Sequence, residues 1–292
     1  MAAVTSGRVA IFGAGGPVGA AAARVLKEHY TLRLTDVRPI AEIAAEGKPQ
    51  SPGAPLPEVL SPPHECGVVD VTDYDQVLAA AQGMDALINA TVIRRDLAGA
   101  FRVNLVGAYH VAKAAVEVGI RRIIHTGPLH IYLGHNADYW WDFHVTADAP
   151  LHPGGDLYAV SKFLGGEVMR VFAERHGLEV VTFLYCNFLP ADGGDRPDGS
   201  GCGPFVTSWD DCGEAFLYGL RVERLPQPYE PFFICAELPH GKFSPAKAKQ
   251  LLGWEARHRF ERLWRRPGSV AHSGQAGGER SPSLRMRGSS SG

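Results

Sequence analysis

Tyr158 and Lys162, in the run Tyr158-Ala-Val-Ser-Lys162, stand one turn apart on one face of any helix that carries them. A free phenol titrates near pH ~10, too high for ready proton exchange at neutral pH. A cation beside it favours the phenolate and lowers that value. The pair is therefore a candidate general acid/base for an alcohol or carbonyl group. The same spacing also serves an ordinary surface contact, so the rest of the chain has to separate the two readings.

A second constellation lies near the N-terminus. Gly13, Gly16 and Gly19, with Pro17 and Val18 between the last two, follow an apolar run and open a helical one. Glycines there permit a tight turn and let backbone N–H groups approach a pyrophosphate, whose charge a helix N-terminus favours. Asp36 closes the next apolar run. A carboxylate at that place accepts hydrogen bonds from ribose hydroxyls and repels a 2′-phosphate, which favours NAD over NADP. Arg38, two residues on, is the opposing candidate, a cation able to face such a phosphate. Asp70 and Val71 end a third run where an adenine would lie; Asp70 is equally suited to capping the helix that follows.

These residues require elements that hold them at one edge. Apolar runs alternate with helical patterns: strands over Arg8–Phe12, Thr31–Thr35, Gly67–Val69, Ala86–Asn89, Arg122–His125 and Glu179–Leu184, and helices over Pro17–His29, Tyr74–Ala81 and Tyr158–His176. Leu97, Phe101, Leu105, Ala108, Ala112 and Ala115 keep helical spacing and predict one long helix. Such alternation predicts an α/β fold, a doubly wound parallel sheet of Rossmann type. A proline-rich stretch, Gly47–Pro63, reads as a surface excursion. Gly127–Asp156 is a long connection containing Trp140, Trp141 and His144, side chains suited to a pocket wall or a subunit contact. After Cys186 the pattern turns irregular, with helical stretches at Asp210–Leu220 and Ser244–Leu252 and a strand at Pro231–Cys235. The expected organisation is a dinucleotide-binding domain over 1–186, a small substrate-binding region over 187–266 and a disordered tail over 267–292.

The composition narrows the class. The 292 residues carry a formal net charge of −2, which offers no field for nucleic acid or an anionic membrane surface. The five cysteines form no Cys-x-x-Cys pair, so neither a zinc nor a dithiol site is indicated. No signal peptide or membrane-spanning run is legible, and the expected location is the cytoplasm.

Taken in order, the motifs resemble the extended short-chain dehydrogenase/reductase superfamily, the NAD-dependent epimerase/dehydratase group. The resemblance rests on the glycine loop, Ile88-Asn89-Ala90-Thr91, Val103-Asn104-Leu105-Val106-Gly107, Ala147–Pro153, Tyr158 with Lys162, Phe205–Asp211 and Leu251-Leu252-Gly253-Trp254. Within the group it is nearest in look to uronate dehydrogenases, through Asp36, Ile123–His130 and the short region after Cys186. The resemblance implies NAD as cofactor, with Gly13, Gly16, Pro17, Val18, Gly19, Asp36, Asp70, Val71, Asn89, Ala90, Thr91, Asn104 and Lys162 around it. It implies Tyr158 as acid/base, Lys162 as its ribose-holding partner, His130 and Asn187 as substrate contacts, and a homodimer.

One position departs from the pattern. The group carries a serine or threonine hydroxyl at the end of the fifth strand, where this chain has Gly127 and Pro128. Proline offers neither a side-chain donor nor a backbone N–H. Thr126 and His130 are the candidate replacements; a plain strand threonine and a loop histidine are the alternatives. The expectation is an NAD-dependent oxidoreductase acting on a sugar or sugar-acid hydroxyl. An epimerase/dehydratase that retains its NAD and a non-catalytic NAD-binding protein are the other two readings.

Overall fold

The structure, a computed structural model, describes residues 3–133 and 142–265. Trp140, Trp141 and the expected tail lie outside the described residues. The elements run β1 (Arg8–Phe12), α1 (Pro17–Leu26), β2 (Thr31–Asp36), α2 (Ile40–Ala45), β3 (Glu65–Val68), α3 (Tyr74–Ala81), β4 (Ala86–Asn89), α4 (Leu97–Ala100), α5 (Ala108–Val118), β5 (Arg122–Pro128), α6 (His130–Leu133), α7 (Leu157–His176), β6 (Glu179–Tyr185), β7 (Asn187–Leu189), β8 (Val206–Ser208), α8 (Trp209–Arg221) and β9 (Tyr229–Phe233). A π-helical stretch, Phe101–Gly107, joins α4 to α5. No helix among the described residues is long and apolar enough to cross a membrane.

Seven parallel strands form one sheet in the order β3-β2-β1-β4-β5-β6-β9, and β7 pairs with β8 separately. Side chains alternate across the sheet as the two-residue period requires. Val9, Ile11, Ile88, Ile124, Val181 and Phe232 enter one core with α1 and α8. Ala10, Phe12, Leu87, Ile123 and Val180 enter the other with α3, α5 and α7. Both faces are covered, so the central strands read as continuous apolar runs. The alanines of α1 let α8 approach closely: a Cβ on Gly213 would strike the Ala21 carbonyl.

Three features differ from the pattern read in the sequence. The fifth strand continues past His125 through Pro128, pairing Thr126, Gly127 and Pro128 with Phe183, Leu184 and Tyr185. Strand β4 ends opposite His125, so the side on which Pro128 lacks an N–H has no strand partner to lose. The helix from Leu97 is interrupted by the π-helical stretch, which the apolar spacing did not reveal. The chain after Cys186 also shares the main sheet, because β9 pairs with β6 and α8 packs on α1.

The proline-rich excursion lies across the first helix rather than away from it. Gln50 Nε2 donates to the Gly15 carbonyl (3.3 Å), Trp209 Nε1 donates to the Pro52 carbonyl (3.0 Å), and Gly53 rests on Pro190. It forms a strap from the glycine turn to the start of α8.

Candidate active site

A cleft of about 1090 Å³ opens at the carboxyl ends of the strands, where a doubly wound sheet presents its crevice. One end is built by the turn after β1. Gly13 adopts φ +83°, and a Cβ there would come within 2.9 Å of the Ala90–Thr91 backbone. Gly15 donates its N–H to Asp36 Oδ2 (3.0 Å), and a Cβ on Gly15 would sit 2.9 Å from the same oxygen. Gly16 precedes Pro17 at the head of α1. Gly13, Gly16, Pro17, Val18, Asp36, Asp70, Val71, Ala90 and Thr91 all line the cleft. Gly19 does not; it packs α1 onto the Gly13 carbonyl, a contact a side chain would block.

Burial pushes the Asp36 carboxyl up, and backbone N–H groups from Gly15, Val37 and Arg38 partly offset this. Arg38 does not stand as an unopposed cation at this end. Its Nη2 pairs with Glu46 Oε1 at 2.6 Å, and Glu46 also lines the cleft. Asp70 accepts from Thr72 N–H (2.8 Å), but the cap of α3 is Asp73, whose side chain accepts from Asp75 and Gln76 N–H.

The other end is built by β5, α7 and the loop after β4. Asp156 caps α7 by accepting from Tyr158 N–H. Tyr158 and Lys162 face the cleft with Thr126, Pro128, His130 and Asn187. Lys162 is 3% exposed, and its Nζ donates to the Thr91 and Thr126 carbonyls, 2.9 Å each. Burial, aided by the Arg94 charge, lowers its ammonium to about 7. Two of its three protons are thus committed to the ends of β4 and β5.

The Arg94 guanidinium lies over the Tyr158 ring, while Lys162 turns its ammonium toward the Thr91 and Thr126 carbonyls. The Arg94 guanidinium carbon lies 5.9 Å from the phenol ring centroid, and its charge favours the phenolate. Burial outweighs it, and the phenol stands above its usual value. The β4–α4 loop brings Arg94 to this position. Nothing in the sequence marked Arg94.

Thr126 donates its single hydroxyl proton to the Asn89 carbonyl (3.1 Å), the bond of an ordinary strand threonine. That proton is spent within the sheet. His130 opens α6 beside Pro128. Asn187 directs Nδ2 to the Phe205 carbonyl (3.2 Å).

Asn89 and Asn104 are each 1% exposed and stand behind the wall of the cleft. Asn89 Oδ1 accepts from Thr91 Oγ1 (2.7 Å) and fixes the turn after β4. Asn104 accepts from Ile93 N–H (3.0 Å), donates to the Ile93 carbonyl (2.8 Å) and donates to Ser161 Oγ (2.9 Å). It clamps the Arg94 loop to α7. His125, beneath Lys162, is fully buried, and desolvation followed by the Lys162 charge keeps it neutral.

The residues present fit a dinucleotide. Side-chain-free turns head a helix at one end, a carboxylate stands at the close of β2, and a phenol and an amine stand at the other end.

The profile of the NAD dependent epimerase/dehydratase family matches residues 9–200. An L-arabinose 1-dehydrogenase (NAD(P)(+)) of Haloferax volcanii is 30% identical over 196 residues, 63% of this chain and 68% of that protein. A uronate dehydrogenase of Pseudomonas putida is 28% identical over 186 residues, covering 63% of this chain and 62% of the relative, under two thirds of its length. Among solved structures, a glucuronic acid dehydrogenase from Chromohalobacter salexigens superposes with a TM-score of 0.67 at 18% identity, over 87% of this chain and 86% of that one. A uronate dehydrogenase from Agrobacterium tumefaciens gives 0.60 at 21% identity, over 87% and 85%. At such identities the superpositions establish the fold.

Proposed function

The chain belongs to the NAD dependent epimerase/dehydratase family, and from that premise we propose that it is an NAD-dependent oxidoreductase that oxidises a sugar or sugar-acid hydroxyl. The observation that carries this reading is that one cleft joins the glycine turn and Asp36 to Tyr158 and Lys162. The bound dinucleotide supplies the hydride acceptor. Everything else is work for the chain's own side chains.

Gly13, Gly15 and Gly16 leave room for a pyrophosphate at the head of α1. Asp36 accepts from the adenosine ribose, and Asp36 with Glu46 outweighs Arg38, which supports NAD over NADP. Asp70 and Val71 border the adenine. Lys162 offers its remaining N–H to the second ribose, while Asn89 and Asn104 hold the loop that carries Thr91 and Ile93. Tyr158 accepts the alcohol proton as the carbonyl forms. His130 and Asn187 stand where a polyhydroxylated substrate is contacted.

Tyr158→Phe removes the proton acceptor and leaves the binding groups in place. Turnover with a panel of aldoses and uronic acids, read as NAD reduction, is expected to vanish. NAD affinity by calorimetry is expected to stay within about threefold, since the binding groups are untouched. Full activity in this variant would overturn the reading.

A further inference from the structure

We infer that Arg94 is a catalytic residue, the cation that favours the phenolate of Tyr158 when it forms and donates to the oxygen on which Tyr158 acts, in place of the hydroxyl that Pro128 lacks. The inference deepens the proposed oxidoreductase function and rests on it. Three observations converge. The two expected helpers are committed elsewhere, Thr126 Oγ1 to the Asn89 carbonyl and Lys162 Nζ to the Thr91 and Thr126 carbonyls. Arg94 lines the cleft with its guanidinium over the Tyr158 ring. The loop bearing it is fixed by a buried residue, because Asn104 bonds both the N–H and the carbonyl of the preceding Ile93 and reaches Ser161 on the Tyr158 helix.

A guanidinium suits this task. It keeps its charge throughout the working pH range and carries five N–H donors in a planar fork, enough to serve a phenol oxygen and a substrate oxygen together. The step it assists is a proton transfer. The proton leaves the substrate hydroxyl for Tyr158 Oη, and Arg94 forms and breaks no covalent bond. A cation beside the phenolate lowers the energy of the form that accepts the proton. The other charged or titratable groups facing Tyr158 are Asp156 at the head of its helix, Cys186 after β6, Lys162 one turn on, and His130 along the same wall.

The test uses Arg94→Met, which removes the charge at similar length, and Arg94→Lys, which keeps it. In protein labelled with fluorotyrosine and free of dinucleotide, the Tyr158 resonance is assigned by its loss in Tyr158→Phe. Its titration midpoint is expected to rise by about one pH unit or more in Arg94→Met and to return most of the way in Arg94→Lys. An unchanged midpoint, with near-ultraviolet circular dichroism showing an intact fold, would overturn the inference. In the NAD-loaded enzyme, kcat for a neutral aldose and for a uronic acid is expected to fall together by about 10²-fold, with the rising limb of the pH profile displaced to higher pH. A rise in KM confined to the acid would assign Arg94 to carboxylate binding and overturn it as well. Should the parent protein oxidise neither sugar, the functional reading fails, and the resonance still decides whether Arg94 acts on Tyr158.

Discussion

Lys162 shows how burial alters a residue that the sequence made easy to find. Its ammonium is held near 7 by desolvation and the Arg94 charge, whereas an unfolded chain keeps that proton to about 10.4. Between those values the unfolded state binds more protons, so stability rises with pH across the window. The dinucleotide-free protein is expected to gain about 1–2 kcal/mol from this group between about pH 7 and 9. Lys162→Met should lose that gain, measured by urea denaturation at both pH values. Tyr158, Lys162, the glycines and Asp36 were legible because each belongs to a local pattern with a mechanical reason. Arg94 was not, because it sits in a loop without periodicity and meets its phenol only through the crossover from β4 to α7. Thr126 was legible both as a candidate hydroxyl and as a plain strand threonine, and its bond to the neighbouring strand's carbonyl fits the second.

At the scale of elements, the segment from Leu97 to Val118 and helix α7 form the frame that fixes the loop. A π-helical stretch places Asn104 against that loop, and Gly165 allows α7 to touch the Asn104 carbonyl with no side chain between. A Cβ on Gly165 would stand 2.2 Å from that oxygen, well inside carbon–oxygen van der Waals contact. Gly165→Ala is therefore expected to cost ~1–3 kcal/mol by denaturant titration. It should also lower kcat about 10- to 100-fold, because the shift displaces Tyr158 from the Arg94 loop. Most of the strands and helices could be read from apolar spacing. The π-helical stretch could not, since apolar spacing tolerates the extra residue. The continuation of β5 was also hidden, because a proline reads as a stop unless the missing neighbour beside it is known.

Over the whole molecule, the irregular segment after Cys186 proves structural. Strand β9 completes the sheet, α8 covers α1, and Arg122 at the head of β5 grips the end of α8 through the Gly219 (2.7 Å) and Val222 (3.0 Å) carbonyls while pairing with Glu179. A chain stopped after Cys186 would expose one edge of β6 and the apolar face of α1. Such a fragment is expected to bind a hydrophobic dye and to lose near-ultraviolet circular dichroism, whereas the full chain should unfold in a single transition. The alternation of strands and helices made the sheet legible, and a strand was read at Pro231–Cys235, but its place at the sheet edge was not. Tyr229–Phe233 joins the edge only because α8 returns the chain across the sheet.

The strap over the glycine turn sets an expectation about timing. Gln50 and Pro52 hold Gly15 and Trp209 at the wall of the cleft, so nucleotide exchange is expected to wait on the parting of those contacts. Trp209 stacks on Phe188 at 4.2 Å, so its indole emission is expected to follow each opening. The observed rate of NAD association should level off with concentration instead of rising in proportion. A Pro52→Gly exchange that loosens the strap should raise that plateau, with the timing read from Trp209 itself.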